Sequence, residues 1–242
     1  MGIMEIFILV IGIVLVIWLV IYAARQAGVR RDALRAWAQG QGYRFSADKD
    51  HAMDERYECF SPLQQGDNRY AYNNVQGEAD GKLFHAFDYH YQTYSTDSKG
   101  NRTTHHHTFT ALIMDAGLRF PHELRVRPEG WFDKLTALVG FDDIDFESHE
   151  FSRAFYVKSR DRKFAYDVIH PRMMEFLLAH RGYAFELDGG AIFVALGERS
   201  LNPLEWPKLI EFATEVLHRL PDYLVDELSG REDKRGSGGA RN

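Results

Sequence analysis

The residues best suited to chemistry in this sequence are a carboxylate and several histidines on neighbouring predicted strands. Neutral imidazoles and carboxylates are ligands that zinc and other divalent metals accept in proteins. We place four candidate ligands on one face of a two-stranded ribbon, and these are Asp88, His90, His105 and His107. They raise the hypothesis of a metal-dependent, hydrolase-like enzyme with zinc or another divalent metal as its cofactor.

The shared face depends on the turn that joins the two strands. If Lys99 and Gly100 form a two-residue turn, Gln92 pairs with His107, and alternate residues then point to the same side. The apolar residues gather at the opposite end of the ribbon, so the sequence favours a solvated polar tip over a metal site. We assign no other catalytic or cofactor-binding residues, because the sequence has no phosphate-binding glycine loop, dinucleotide fingerprint or nucleophile elbow.

The ribbon forms part of a predicted antiparallel meander. Its three strands, which are rich in aromatic, β-branched and threonine residues, cover residues 69–78, 83–94 and 102–114. Asp80-Gly81 suits the first turn, since both central positions of a two-residue turn favour positive φ. By the same reasoning, Asp188-Gly189-Gly190 predicts a hairpin between residues 183–187 and 191–196.

Helical periodicity and capping residues predict the elements that cover these strands. Helices are expected at residues 53–57, 131–139, 161–169, 171–180 and 203–220. Asp161 and Asn202 are suitable N-caps, and Pro121 should separate the strand at 102–114 from another at 122–127. The predicted fold class is α+β, with antiparallel hairpins covered by helices.

The N-terminal segment is the most apolar part of the chain. Residues 6–24 are almost uninterrupted apolar, and about 20 such residues at ~1.5 Å rise each cover a hydrocarbon core of ~30 Å. A cleaved secretory signal would need a basic start and a shorter apolar core, and the sequence has neither. We therefore predict an N-terminal transmembrane helix that binds the bilayer through Ile6 to Ala24.

The charges behind this run set its orientation. Arginines follow it closely, and they are Arg25, Arg30, Arg31 and Arg35. Because positive charge near a span is retained on the cytoplasmic side, we predict a single-pass protein of the plasma (inner) membrane with its N-terminus outside. One cysteine excludes an intramolecular disulfide, and a net charge of −6 without a later basic run argues against nucleic acid as a partner.

The expected domain layout has four parts. Residues 1–25 form the anchor and residues 26–42 a juxtamembrane amphipathic stalk, whose Trp37 we expect to dock on the domain. Residues 43–228 form the cytoplasmic α+β domain, as one unit or as two subdomains divided near residues 117–130. Residues 229–242 are rich in Gly, Ser and charged residues, which predicts a disordered tail.

Several short motifs mark the soluble part, and they are Phe87-Asp88-Tyr89, Leu124-Arg-Val-Arg-Pro128, Asp143-Ile-Asp-Phe-Glu147 and Phe164-Ala-Tyr-Asp-Val-Ile-His-Pro-Arg-Met-Met174. Together they resemble a group of uncharacterised bacterial single-pass membrane proteins. In that group an N-terminal membrane anchor precedes a soluble domain of unknown function. The resemblance covers residues 70–196 and implies the architecture, and it supplies no catalytic residues.

The sequence therefore favours a non-catalytic interaction module with a protein partner at the cytoplasmic face of the membrane. The metal-dependent enzyme described above is the first alternative. A lipid-sensing domain is the second, and the acidic composition of the soluble part argues weakly against it. These residues do not identify the partner, a substrate or the oligomeric state.

Overall fold

The structure, a computed structural model, describes residues 2–131 and 144–229. Within them the helices are α1 (Ile3–Gly40), α2 (Met53–Arg56), α3 (His149–Ala154), α4 (Arg162–Val168), α5 (Pro171–Ala179), α6 (Trp206–His218) and α7 (Asp222–Leu228). The strands are β1 (Arg44–Ser46), β2 (Asp67–Ala79), β3 (Lys82–Thr96), β4 (Arg102–Pro128), β5 (Phe155–Ser159) and β6 (Tyr183–Leu196). Short 3-10 turns lie at Ser61–Gln64 and Pro203–Glu205. The chain is α+β, as predicted.

All six strands belong to one antiparallel sheet. Its order is β1-β2-β3-β4-β5, and β6 pairs with β4 as well. The middle of β4 lies between β3 and β6, and its end lies between β5 and β6. The sequence allowed a division into two subdomains near residues 117–130. Most of that stretch belongs to β4, the strand that joins the two halves of the sheet.

The predicted break at Pro121 and the predicted hairpin at residues 188–190 are both wrong. β4 continues through Pro121, and β6 is one strand in which Gly189 pairs with Phe120. Register shifts on either side of Phe120 absorb the irregularity, and Gly117 and Gly189 adopt positive φ there. Pairing along a long partner strand thus outweighs the local turn preference of a glycine pair.

The two turns of the meander differ in outcome. Asp80 and Gly81 have φ of 51° and 70°, which confirms the two-residue turn. The second turn is longer than predicted, since Asp97 to Asn101 form a loop in which the Asp97 carboxylate accepts hydrogen bonds from the backbone N–H groups of Lys99 (2.9 Å) and Asn101 (2.8 Å). This extra length moves β4 by one residue against β3.

Helices cover the two faces of the sheet unequally. On one face, the end of α1, together with α6 and α7, packs over the larger hydrophobic core. On the other face, a smaller core lies beneath the segment that contains α2 and the first 3-10 turn. The second face is therefore partly open.

The predicted stalk is a direct continuation of the N-terminal apolar helix. Within the described residues, α1 is the helix long and apolar enough to cross a membrane, and it runs without interruption to Gly40. Leu34 and Ala38 are fully buried in the larger core. Trp37 contacts the rings of Tyr43 and Trp206 at centroid distances of 5.8 and 6.2 Å, which confirms that it docks on the domain.

The predicted caps are largely confirmed. The Asp161 carboxylate accepts hydrogen bonds from the first turn of α4, and the Asn202 side chain accepts one from Leu204 N. The helix predicted at 203–220 begins as a 3-10 turn and becomes α-helical at Trp206. Residues 132–143 and 230–242, which include most of the predicted helix at 131–139 and the predicted tail, lie outside the described residues.

The Gly77→Ala substitution should destabilise the fold where the stalk meets the sheet. A Cβ at this position would collide with the ring of Tyr43, which is wedged against Phe84 at a centroid distance of 4.9 Å. Overpacking of this kind costs about 1–3 kcal/mol. Gly28→Ala is the matched control, because open space surrounds Gly28 and alanine is favoured in a helix by up to about 1 kcal/mol. Thermal unfolding of both variants in detergent would measure these opposite shifts, and equal shifts would contradict them.

Candidate functional site

The most elaborate polar arrangement in the described residues surrounds Asp88. Its side chain is fully buried, and Arg30 binds it in bidentate fashion, with Nη1 to Oδ2 at 2.6 Å and Nη2 to Oδ1 at 2.9 Å. Asn73 Nδ2 donates to Oδ2 at 2.8 Å, and Thr110 Oγ1 donates to Oδ1 at 2.6 Å. Two charged and two neutral donors therefore compensate this buried carboxylate.

Local features of two strands bring the neutral donors to this point. Thr110 lies directly opposite Asp88 in the β3–β4 register, so the two side chains share a face. Asn73 has φ of 52° and lies in the irregularity of β2 between Tyr72 and Val75. Asparagine tolerates this left-handed conformation better than most residues, which allows its amide to reach Asp88.

Arg30 also connects the helix to a third part of the chain. Its Nε and Nη2 donate to the Leu201 carbonyl at 2.9 and 2.7 Å. Thr110 Oγ1 in turn accepts a hydrogen bond from Leu201 N at 2.8 Å. Helix α1, the sheet and the loop before α6 thus meet in one hydrogen-bond network.

This arrangement decides what Asp88 can do. Each carboxylate oxygen already accepts two hydrogen bonds from protein donors, so Asp88 has no free position for a metal ion or for the proton of a substrate. The network joins elements of the fold and has no exposed reacting group. We therefore describe it as the anchor junction, defined by Arg30, Asn73, Asp88, Thr110 and Leu201.

The structure does not bring the four predicted metal ligands together. Gln92 pairs with His106, not with His107, so the predicted register is wrong by one residue. Consequently Asp88 and His90 lie on one face of the ribbon, whereas His105 and His107 lie on the other. In the described ranges, 2–131 and 144–229, no group of three or more His, Cys, Asp or Glu residues is placed to hold a metal ion.

Each of these histidines has a hydrogen-bond partner. His90 Nδ1 lies 3.1 Å from the Asn68 carbonyl, and its Nε2 lies 3.1 Å from His106 Nδ1. His105 Nε2 lies 2.7 Å from Ser95 Oγ, and His107 Nε2 lies 2.8 Å from Thr93 Oγ1, its ring stacked on Tyr91. These partners lie on β2, β3 and β4, so the histidines link the strands of the ribbon to one another. Burial lowers the pKa of His90.

Sequence reasoning assigned Arg30 to the basic membrane flank and missed its role in the domain. Helical spacing does carry a signal, since Arg30, Leu34 and Ala38 are four residues apart and lie on one face of α1. That face is the one buried on the domain. An arginine on the docking face of an amphipathic helix predicts a buried acidic partner, and Asp88 is that partner.

A second feature is a cleft of about 890 Å³ on the partly open face of the sheet. Charged groups line its edge, where Arg56 pairs with Asp50 at 3.0 Å. His85 is 7% exposed, its Nε2 lies 2.9 Å from Asn74 Oδ1, and burial lowers its pKa to about 4. The imidazole is therefore neutral at neutral pH. Burial also raises the pKa of the nearby Cys59 thiol to about 11, so the thiol is a weak nucleophile.

Comparison with known proteins identifies a structural neighbour but no family. No family model matches the chain, and no curated protein matches it at a significant level. A solved structure that is similar is the mycobacterial trehalose monomycolate transport factor A, TtfA, with a TM-score of 0.55 and 14% sequence identity. The match covers 80% of this chain and 96% of that protein. At this identity the likeness establishes a shared fold.

Proposed function

We propose that this chain is a non-catalytic interaction module that α1 holds at the cytoplasmic face of the plasma membrane. The observation that carries this proposal is the anchor junction. The first part of α1 is exposed and apolar. The last part of the same helix buries one face on the domain, and there Arg30 binds Asp88. The domain is therefore coupled to its anchor without a flexible linker.

Rigid coupling matters for binding at a membrane. A tethered domain meets membrane-bound partners at a raised effective concentration, and a fixed orientation avoids the entropy cost of aligning it for each encounter. The partner-binding surface would thus be presented at a constant height and angle above the bilayer. Arg25 and Arg31, both exposed, support the cytoplasmic placement of the domain through the positive-inside rule.

The structural neighbour supports the same class of role. TtfA is by its name a transport factor. By analogy with this neighbour, we propose for this chain an accessory role in a membrane transport assembly, with a membrane protein as the partner.

Crosslinking in intact membranes tests the proposal. Full-length protein with a photoreactive residue on the domain should form defined crosslinks to a membrane protein, and removal of residues 1–25 should abolish them. Arg30→Ala should leave the anchor in the membrane but change the crosslinking pattern, because the domain loses its fixed orientation. Arg31→Ala, a neighbouring exposed arginine, is the matched control and should keep the pattern.

The same samples also test the orientation. A protease added outside the cell should leave the domain intact, and lysis should expose it. Cleavage from outside, or crosslinks that persist without the anchor, would contradict the proposal.

A further inference from the structure

The β3–β4 ribbon runs in the direction of the bilayer. Two contacts fix this direction, because Tyr43, just past the end of α1, packs on Phe84, whereas Arg30 reaches Asp88. Along α1 from Gly40 towards Arg30, the chain moves towards the membrane. The chain also approaches the membrane along β3 from Phe84 to Asp88. The rest of β3, beyond Asp88, therefore extends further towards the bilayer.

The lengths involved bring the ribbon end to the membrane surface. Arg30 lies five residues beyond Arg25, where the apolar run ends, which corresponds to about 7.5 Å along the helix axis. From Asp88 to Thr96, β3 has eight further residues and extends about 26 Å. The ribbon end therefore lies level with Arg25 when the strand makes an angle of about 70° to the helix axis, and it lies deeper at smaller angles.

The end of the ribbon has the composition of a surface that meets lipid headgroups. Residues 94–106 are all exposed, and among them Lys99 and Arg102 outnumber the single carboxylate, Asp97, in a chain whose net charge is −6. Hydrogen bonds from the turn hold the pKa of Asp97 below its usual range, and they occupy its oxygens. Arg102 stacks on Tyr94 at 3.6 Å, which presents an aromatic ring and a cation together.

An exposed leucine lies beside α1, between the levels of Arg30 and Trp37. Leu204 is 83% exposed and belongs to the 3-10 turn that packs against α1, three residues after the carbonyl that Arg30 binds. Val29, on α1 itself, is also exposed. Because Leu201 meets Arg30 and Trp206 meets Trp37, Leu204 lies on the domain side of Arg30, so the contact with the bilayer falls to the ribbon end.

We propose that the domain rests on the bilayer surface through the ribbon end, residues 94–106, with anionic lipid headgroups as the ligand. The inference rests on the proposed function, because it requires α1 to span the membrane. Lys99 and Arg102 contact lipid phosphates, and Tyr94 lies at the interface. The bilayer thus holds the domain at a second place besides the anchor.

Fluorescence quenching in nanodiscs tests this contact. Full-length protein in a Cys59→Ala background would carry an NBD probe at Ser98→Cys, in bilayers of phosphatidylcholine and phosphatidylglycerol that contain a headgroup nitroxide lipid. Quenching at position 98 should be strong. Leu83→Cys is the matched control, because Leu83 is exposed near the opposite end of the same strand, up to about 46 Å away, and its probe should remain unquenched. A third probe at Leu15→Cys, at the centre of the apolar run, reports on the anchor itself in matched nanodiscs whose nitroxide lies on the lipid acyl chains.

Charge reversal identifies the ligand. Lys99→Glu with Arg102→Glu should lower quenching at position 98 at least about threefold, and omission of phosphatidylglycerol should do the same. Quenching at position 15 without quenching at position 98 would overturn this inference, whether the ribbon end is exposed to water or covered by a protein partner. The anchor would still span the bilayer in that case. No quenching at position 15 would overturn both the inference and the proposed function.

Discussion

Arg30→Ala should destabilise the folded domain by about 3–5 kcal/mol, the cost of leaving a buried charge without its partner. Asp88 is fully buried, and the substitution removes two of its four donors together with both hydrogen bonds to the Leu201 carbonyl. Thermal or denaturant unfolding of the full-length protein in detergent would measure the loss. Arg31→Ala removes an equal charge from an exposed position and should change the stability by no more than about 0.5 kcal/mol.

A double-mutant cycle separates the ion pair from packing effects. Asp88→Asn keeps the shape of the side chain and removes its charge, so the Arg30→Ala change should be much less costly in that background. A coupling energy above about 1.5 kcal/mol is expected. Additive effects of the two substitutions would show that Arg30 acts through the Leu201 carbonyl and through packing alone.

Acidification should destabilise the protein through His85. The pKa of this imidazole is about 4 in the fold, because the group is buried, whereas in the unfolded chain it is near 6.5. The unfolded state therefore takes up the proton first, and stability is complete above pH 6.5 and falls as the pH approaches 4. The shift corresponds to a loss of about 3 kcal/mol from this one group.

His85→Gln tests this dependence directly. Glutamine can still donate to Asn74 Oδ1 but has no proton to gain, so the variant should lose about 3 kcal/mol less than the parent between pH 6.5 and 4. The charged neighbours of His85, Arg56 and Asp50, form an exposed pair in both proteins and should contribute equally. Parallel pH profiles would show that His85 has no role in acid sensitivity.

Local patterns in the sequence predicted most of the elements, because those elements depend on neighbouring residues. The apolar run, the Asp80-Gly81 turn and the Asp161 cap all act within a few residues, and the structure confirms each of them. The predictions of a break at Pro121 and of a hairpin at Gly189 were wrong, because pairing between distant strands determines the structure at both places. Propensity is a weak guide where a long partner strand is available.

The prediction that the four candidate metal ligands share one face of the ribbon was wrong for a related reason. The side on which a strand residue points depends on register, and register depended on the length of one loop, which Asp97 extends by its own hydrogen bonds. One residue of slip moved His105 and His107 away from Asp88. The pairing of Asp88 with Arg30 spans 58 residues and was not visible in any local motif.

The wide separation of the elements that meet at β4 and at Arg30 has a consequence for synthesis of the protein. In the proposed membrane-anchored protein, α1 leaves the ribosome and enters the bilayer before the domain is complete. The edge of β4 that binds β6 stays unpaired until residues 183–196 have been made. The Leu201 carbonyl, which binds Arg30, is made 171 residues after Arg30. During that interval the proposed anchor would hold at the bilayer a nascent chain with an open strand edge, and such an edge is a site for wrong pairing with neighbouring chains. A holdase chaperone at the membrane would protect the chain at this stage.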